Sequence, residues 1–204
     1  MNVYSVSLDV DHYQSLELMD LDSDWETMYK FDGNPIKEWQ PLRVTVFVDD
    51  ELETQLPPGD FPSLFADVPA LSQRAVQVLR PLIERNGQLL PLQCAGGEYF
   101  ILNLTNVVDA LDESQSEIVR FPDGKKVLDI KRFVFVPAKL QNVDIFKLPQ
   151  QPLGRVFVTG GFVKTVTEAG LVGIDFEWLW SSEQQTSSTK IKLTNTVMPS
   201  EDLD

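Results

Sequence analysis

The sequence predicts an α+β fold, built mainly on antiparallel sheet, with one longer kinked or broken helix and one or two short helices. Three observations predict it. Short runs with period-two alternation recur along the chain, turn-forming Gly, Pro and Asn residues separate them at hairpin spacing, and one segment carries helical periodicity. With 204 residues, 43% hydrophobic, including twelve Phe and four Trp, the chain can bury one sizeable core. Residues 1–180 therefore read as a single domain, and the polar 181–204 as a linker or tail with one weak strand at Lys190 to Leu193.

In order, Asn2 to Leu8 alternates, with Tyr4, Val6 and Leu8 on one side and Ser5 and Ser7 on the other. An acidic segment runs to Glu26, followed by a turn at Asp32-Gly33-Asn34-Pro35. Arg43 to Val48 is a second strand, and Pro57-Pro58-Gly59 ends its acidic tail. The helix is Ser72 to Arg85, where Leu71, Ala75, Val78, Leu79, Leu82 and Ile83 form one apolar stripe. Ser72 suits its N-cap and Asn86-Gly87 a left-handed stop, while Pro81 predicts a kink or a break into two pieces.

Gln88 to Gln93 and Glu98 to Leu104 pair as a hairpin through Cys94-Ala95-Gly96-Gly97. Tyr99 to Leu104 reads as a buried strand. Phe100, Leu102 and Leu104 share one face, and Ile101 and Asn103 the other, so Asn103 is the first polar side chain that must find a partner. Asp109 to Asp112 fits one helical turn. A second hairpin turns at Phe121 to Lys125, between Glu117 to Arg120 and Val127 to Val136. Phe146 to Pro149 is extended, Arg155 to Thr159 is a strand, and Phe162 to Ala169 is a short helix ended by Gly170. In the last strand, Ile174 to Trp180, the residues Ile174, Phe176, Trp178 and Trp180 share one face and Asp175 and Glu177 point outward.

The charge is unevenly placed. Residues 1–68 carry 15 Asp and Glu against 3 Lys and Arg, a net of −12, whereas 69–180 carry 12 against 12 and 181–204 carry 4 against 2. A balanced body joined to an acidic third suggests a field directed at a basic protein partner. Direct binding to DNA or RNA is disfavoured, since that affinity comes mainly from Lys and Arg on phosphates. The candidate partner-binding residues are Asp20, Asp22, Asp24, Trp25, Asp49, Asp50, Glu51 and Glu53. The plain structural reading is that both acidic runs are solvated loops. Tyr29 and Trp39 are further aromatic anchors that serve equally well as core. The N-terminus has neither a basic region nor an apolar stretch of a signal peptide, and no run approaches membrane-spanning length, which predicts a cytoplasmic protein. A single cysteine, Cys94, leaves no intramolecular disulfide.

Sites of chemistry find little support. His12 is the only histidine, so no second imidazole backs a nucleophile, and one His with one Cys falls short of a zinc site. Asp20, Asp22 and Asp24 have the spacing that opens a calcium loop, but Trp25 stands where its glycine belongs and Phe31 where its glutamate belongs. Thr159-Gly160-Gly161 ends a strand before a helix without the glycine spacing or lysine of a nucleotide site. No catalytic residue, metal or cofactor is assigned. The alternative readings are a small enzyme with an all-carboxylate site around Asp109 and Asp112, marked by raised pKa values, and a non-catalytic scaffold protein.

Several short pieces occur together in one order: Trp39-Gln40-Pro41, Asp60-Phe61-Pro62, Gly87 to Leu92, Asn106-Val107-Val108-Asp109-Ala110-Leu111-Asp112, Phe146-Lys147-Leu148-Pro149 and Gly170-Leu171-Val172-Gly173. Over about residues 30–180 this succession resembles a bacterial family of polymorphic-toxin immunity proteins, formerly a domain of unknown function. The resemblance implies a cytoplasmic, non-catalytic protein that binds and neutralises a cognate toxin domain. A basic toxin, such as a nuclease, would suit the acidic third.

Overall fold

The computed structural model describes residues 1–48, 55–65, 68–183 and 190–192. In chain order the elements are β1 (Asn2–Leu8), β2 (Leu16–Leu18), α1 (Leu21–Asp24), a 3₁₀ helix (Trp25–Lys30), β3 (Arg43–Val46), β4 (Ala70–Ser72), α2 (Gln73–Ile83), β5 (Gly87–Pro91), β6 (Gln93–Cys94) and β7 (Tyr99–Leu104). There follow β8 (Glu117–Arg120), β9 (Val127–Arg132), a 3₁₀ turn (Pro137–Leu140), β10 (Ile145–Phe146), β11 (Phe157–Thr159), α3 (Gly160–Glu168), β12 (Ile174–Ser181) and β13 (Lys190–Lys192). The fold is α+β. The largest sheet has the order β10-β11-β1-β12-β13 and is antiparallel throughout, β5 and β4 flank β7, β8 pairs with β9, and β3 joins β2 to β6.

Three apolar clusters organise these layers. One face of the large sheet, with Tyr4, Val158 and Phe176, packs on Ala75, Val76 and Leu79 of α2 and on Phe162 and Val166 of α3. Its opposite face, with Val3, Phe146 and Phe157, packs on Ile130, Phe133 and Phe135. The third cluster joins Leu16 and Val44 of the small sheet to Phe31, Leu90 and Ile101. The stretch 99–112 enters all three: Leu102 and Leu104 in the first, Ile101 in the third, Ala110 and Leu111 in the second. Alternation along β7 separates the first two contributions, and the turn after Leu104 carries the chain to the other side of the large sheet.

The sequence expectations hold for most elements and fail at identifiable places. Ser72 caps α2 as expected, its Oγ accepting from Ala75 N at 3.1 Å. The helix is continuous over Gln73–Ile83 and does not break at Pro81; the carbonyl of Gln77 loses its donor there, two residues before the helix ends. Asn86 and Gly87 do not form a left-handed stop. Neither has a positive φ; Asn86 Nδ2 donates to Leu82 O at 2.5 Å, and Gly87 opens β5. The glycine serves close approach, since a Cβ there would stand 2.4 Å from Asn103 O.

Asp109 to Asp112 is extended and not helical. Val107 bridges to Lys147 and Leu111 to Phe135, and Asp112 caps the turn that follows. The strand expected from Val127 to Val136 ends at Arg132. Beyond it, Val134 N donates to Ser116 Oγ at 3.0 Å while Phe133 and Phe135 turn into the second cluster, stacked 5.8 Å apart. On β12 the register slips where it pairs with Val3 and Tyr4, so Trp180 leaves the face of Trp178 and packs on Phe135, 5.8 Å between centroids. Glu177 is exposed as expected, but Asp175 is buried at 5% exposure, at the register position opposite Ser7 of β1.

Candidate functional site

The acidic third contributes β1, strands β2 and β3 of the small sheet and the helical segment between β2 and the Asp32 turn. After Leu18, Met19 N donates to Arg43 O, and Asp24 N donates to Asp20 O at 3.1 Å, so Asp20, Asp22 and Asp24 lie on a helical turn and not on a cation-binding loop. The 3₁₀ helix continues the turn. Its inner side is set by Thr27, which is buried, and Met28, which packs on the third cluster; Phe31, 1% exposed, ends the segment inside that cluster. Trp25 and Tyr29 point the other way, 41% and 52% exposed, edge to face with centroids 5.6 Å apart. Trp39 differs from them: its ring lies 6.2 Å from Phe31, and its Nε1 donates to Pro91 O at 2.8 Å, so it walls the core.

Two polar clamps from the body of the fold hold this segment. Lys147, 2% exposed, donates from Nζ to Phe31 O at 2.7 Å and to Pro152 O at 2.9 Å. A cation at carbonyls just past a helix end satisfies acceptors the helix leaves open and complements its dipole. Asn103, fully buried, donates from Nδ2 to Asn34 O and to Gln88 Oε1, both at 2.9 Å, and Gln88 Oε1 also accepts from Ile36 N. The turn at Asp32 to Asn34 is closed by Asn34 N donating to Asp32 Oδ1 at 3.0 Å, with Gly33 at φ +94°.

Of the predicted partner-binding residues, the structure brings Asp20, Asp22, Asp24 and Trp25 together on one segment, with Asp22 and Trp25 exposed and Asp20 and Asp24 half-buried. Asp49, Asp50, Glu51 and Glu53 lie outside the described residues. Glu26, which follows Trp25, is exposed as well, so Asp22 and Glu26 are like charges four residues apart. Among the described residues no Lys or Arg forms an ion pair with either.

The remaining chemical candidates have ordinary structural work. His12 Nδ1 lies 2.7 Å from Asp9 Oδ1 at the surface. Asp109 is exposed and its carboxyl is held below the usual aspartate range, first by a hydrogen bond from Gln150 and then by one from Lys139. Asp112 is lowered by hydrogen bonds from Ser114 and Gln115. Both shifts run opposite to the raised values that the carboxylate-enzyme reading requires. At Gly160-Gly161 the N-terminus of α3 faces the carboxylate of Asp144, which is paired with Arg85. A phosphate there would meet an anion. Among the described residues, no helix is long and apolar enough to cross a membrane, and no group of three or more His, Cys, Asp or Glu could hold a metal ion.

Asp60 is a buried hub that sequence reasoning passed over as part of a motif. Its carboxylate accepts from Ser72 Oγ at 2.9 Å, Arg74 at 2.6 Å and Val172 N at 3.0 Å, while Arg74 donates onward to Ala169 O and Gly170 O at the end of α3. Asn106 joins the turn after α2 to β10 in the same manner, donating to Asn86 Oδ1 at 2.8 Å and Ile145 O at 3.0 Å. The available signal was a polar residue inside an apolar run: Lys147 between Phe146 and Leu148, and Asn103 between Leu102 and Leu104.

Comparison with known families adds one match. Residues 91–179 match the model of the Immunity protein family (Imm11). That span runs from Pro91 at the end of β5 to Leu179 in β12, and it includes Asn103, Asn106 to Asp112 and Phe146 to Pro149. It leaves out the acidic third, and with it Trp39 to Pro41 and Asp60 to Pro62. No curated protein matches the chain.

Proposed function

We propose that this chain is an immunity protein that binds a cognate bacterial toxin domain in the cytoplasm and neutralises it by direct protein–protein contact, without catalysis. The observation that carries the reading is the match of residues 91–179 to an immunity protein family. The carboxylates nearest to an active-site pattern, Asp109 and Asp112, are exposed or partly so and held ionised, which favours a binding protein over a carboxylate enzyme. The acidic third supplies the field. Asp20, Asp22, Asp24, Trp25, Asp49, Asp50, Glu51 and Glu53 are the residues proposed to meet the toxin, and a net charge of −12 over residues 1–68 suits a basic one. Opposite charge can raise association rates to about 10⁸–10⁹ M⁻¹s⁻¹ at low salt, as an inhibitor acting inside the cell requires.

Co-expression in a heterologous bacterium with the C-terminal domain of a large secreted protein encoded beside it tests the reading. Restored growth together with co-purification is the expected result. A neighbouring domain that stays lethal and does not associate removes that pairing, and neighbours without toxicity remove the immunity role.

A further inference from the structure

We infer that the Trp25–Tyr29 pair is the anchor of the partner interface and seats an arginine or lysine side chain of a basic protein surface. The inference rests on the proposed function and names the part of the acidic third that makes the closest contact. Four observations carry it. The two rings pack on each other, whereas Met28, Phe31 and Trp39 from the same region belong to the third apolar cluster or pack on it. Both are exposed, and so is Leu21, 65% exposed, one turn before Trp25, so the helical segment turns an apolar face outward. Asp22 and Glu26, both exposed, stand three residues before and one residue after Trp25, so a cation seated on the rings would meet negative charge on either side of Trp25 in the chain. The end of the segment is fixed by Lys147 donating to Phe31 O, so the rings are presented from an anchored backbone.

The chemistry selects the occupant. An exposed Trp with an adjoining Tyr offers two π-faces to a cation, and nearby carboxylates add charge-assisted hydrogen bonds that a guanidinium or ammonium can satisfy. Trp, Tyr and Arg are the residues enriched at the energetic centres of protein interfaces. Another exposed apolar group, Val119, Phe121 and Leu128 on the β8–β9 hairpin, lies among charges of both signs and selects no partner.

The test is surface plasmon resonance of the full chain against the purified toxin domain, with Trp25→Ala, Tyr29→Ala and Tyr29→Phe compared with wild type. Trp25→Ala is expected to raise Kd by about 30-fold or more and Tyr29→Ala by about tenfold, while Tyr29→Phe, which keeps the ring, stays within about threefold. Unchanged urea-unfolding midpoints are expected, because both side chains lie outside the core. If Trp25→Ala and Tyr29→Ala bind within threefold of a wild type that still neutralises the toxin, the anchor is elsewhere and the immunity reading stands. If the wild type forms no complex with any neighbouring toxin domain, both are overturned.

Discussion

Lys147 Nζ donates to Phe31 O at 2.7 Å, joining residues 116 positions apart. The bond crosses from the segment that matches the immunity family to the acidic third that does not, and its second acceptor, Pro152 O, lies on the matched side. Asn103, also in the matched segment, holds Asn34 O in the turn that begins at Asp32. The matched segment thus positions the surface proposed to meet the partner.

Replacing Lys147 with Met is expected to destabilise the protein by about 2–4 kcal/mol, since each buried acceptor left unsatisfied costs about 1–3 kcal/mol and the apolar chain regains part of the loss. Urea unfolding followed by tryptophan fluorescence measures it. A change below about 0.5 kcal/mol would mean that water replaces the ammonium without penalty.

Asp60→Ala is expected to cost about 3 kcal/mol, because it removes the acceptor shared by Ser72 Oγ, Arg74 and Val172 N. Arg74→Ala is expected to cost less, about 1 kcal/mol, since Arg74 is half exposed and water can replace part of its role. The ordering of the two variants is the discriminating result. Equal losses would place the energy in the ion pair and not in the hub.

Gly87→Ala is expected to destabilise by about 1–3 kcal/mol, as its Cβ would meet the backbone carbonyl of Asn103 at 2.4 Å and one strand would have to move. Gly124→Ala is the control for glycine replacement in general. Gly124 has φ +70° but nothing within 4 Å, so its loss reflects backbone strain alone.

The acid limb of stability carries the signature of Asp112. Its folded-state pKa lies below the ordinary value of 3.8, lowered first by the hydrogen bond from Ser114, so its stabilising contribution is fully present above that value. The contribution is lost as pH falls through the folded-state pKa. Asp112→Asn, with no proton to gain, is expected to flatten the fall in unfolding free energy below about pH 4 and to leave the slope near neutrality unchanged. A parallel pair of pH profiles would refute the cap.

Neutralising Asp49, Asp50, Glu51 and Glu53 together, as Asn and Gln, is expected to slow toxin association by about tenfold at low salt and to flatten its dependence on ionic strength, with little change in the dissociation rate. An unchanged on-rate removes that run from the interface.

Much of the fold was legible because local patterns and burial agree. Tyr4, Val6 and Leu8 alternate into one cluster, α2 shows its stripe, and Gly97 and Gly124 turn the two hairpins at positive φ. The misreadings came from interactions between distant segments. Nothing near Trp180 announces the slipped register that sends it to Phe135. Pro81 lies inside α2 as expected, but the helix does not break there. For the candidate face, charge and the aromatic residues were visible in the sequence. That Asn103 needs a partner was visible too; which distant groups Asn103 and Lys147 reach was not, since the backbone carbonyls of Asn34 and Phe31 leave no trace in residue type.

The most direct measurement is titration of a purified neighbouring toxin domain with this protein, following toxin activity and complex formation by size-exclusion chromatography in the same samples. Direct neutralisation predicts that activity falls linearly to zero at a fixed small-integer ratio and that both chains co-elute. Full activity in excess of this protein, with the two chains eluting separately, would contradict it.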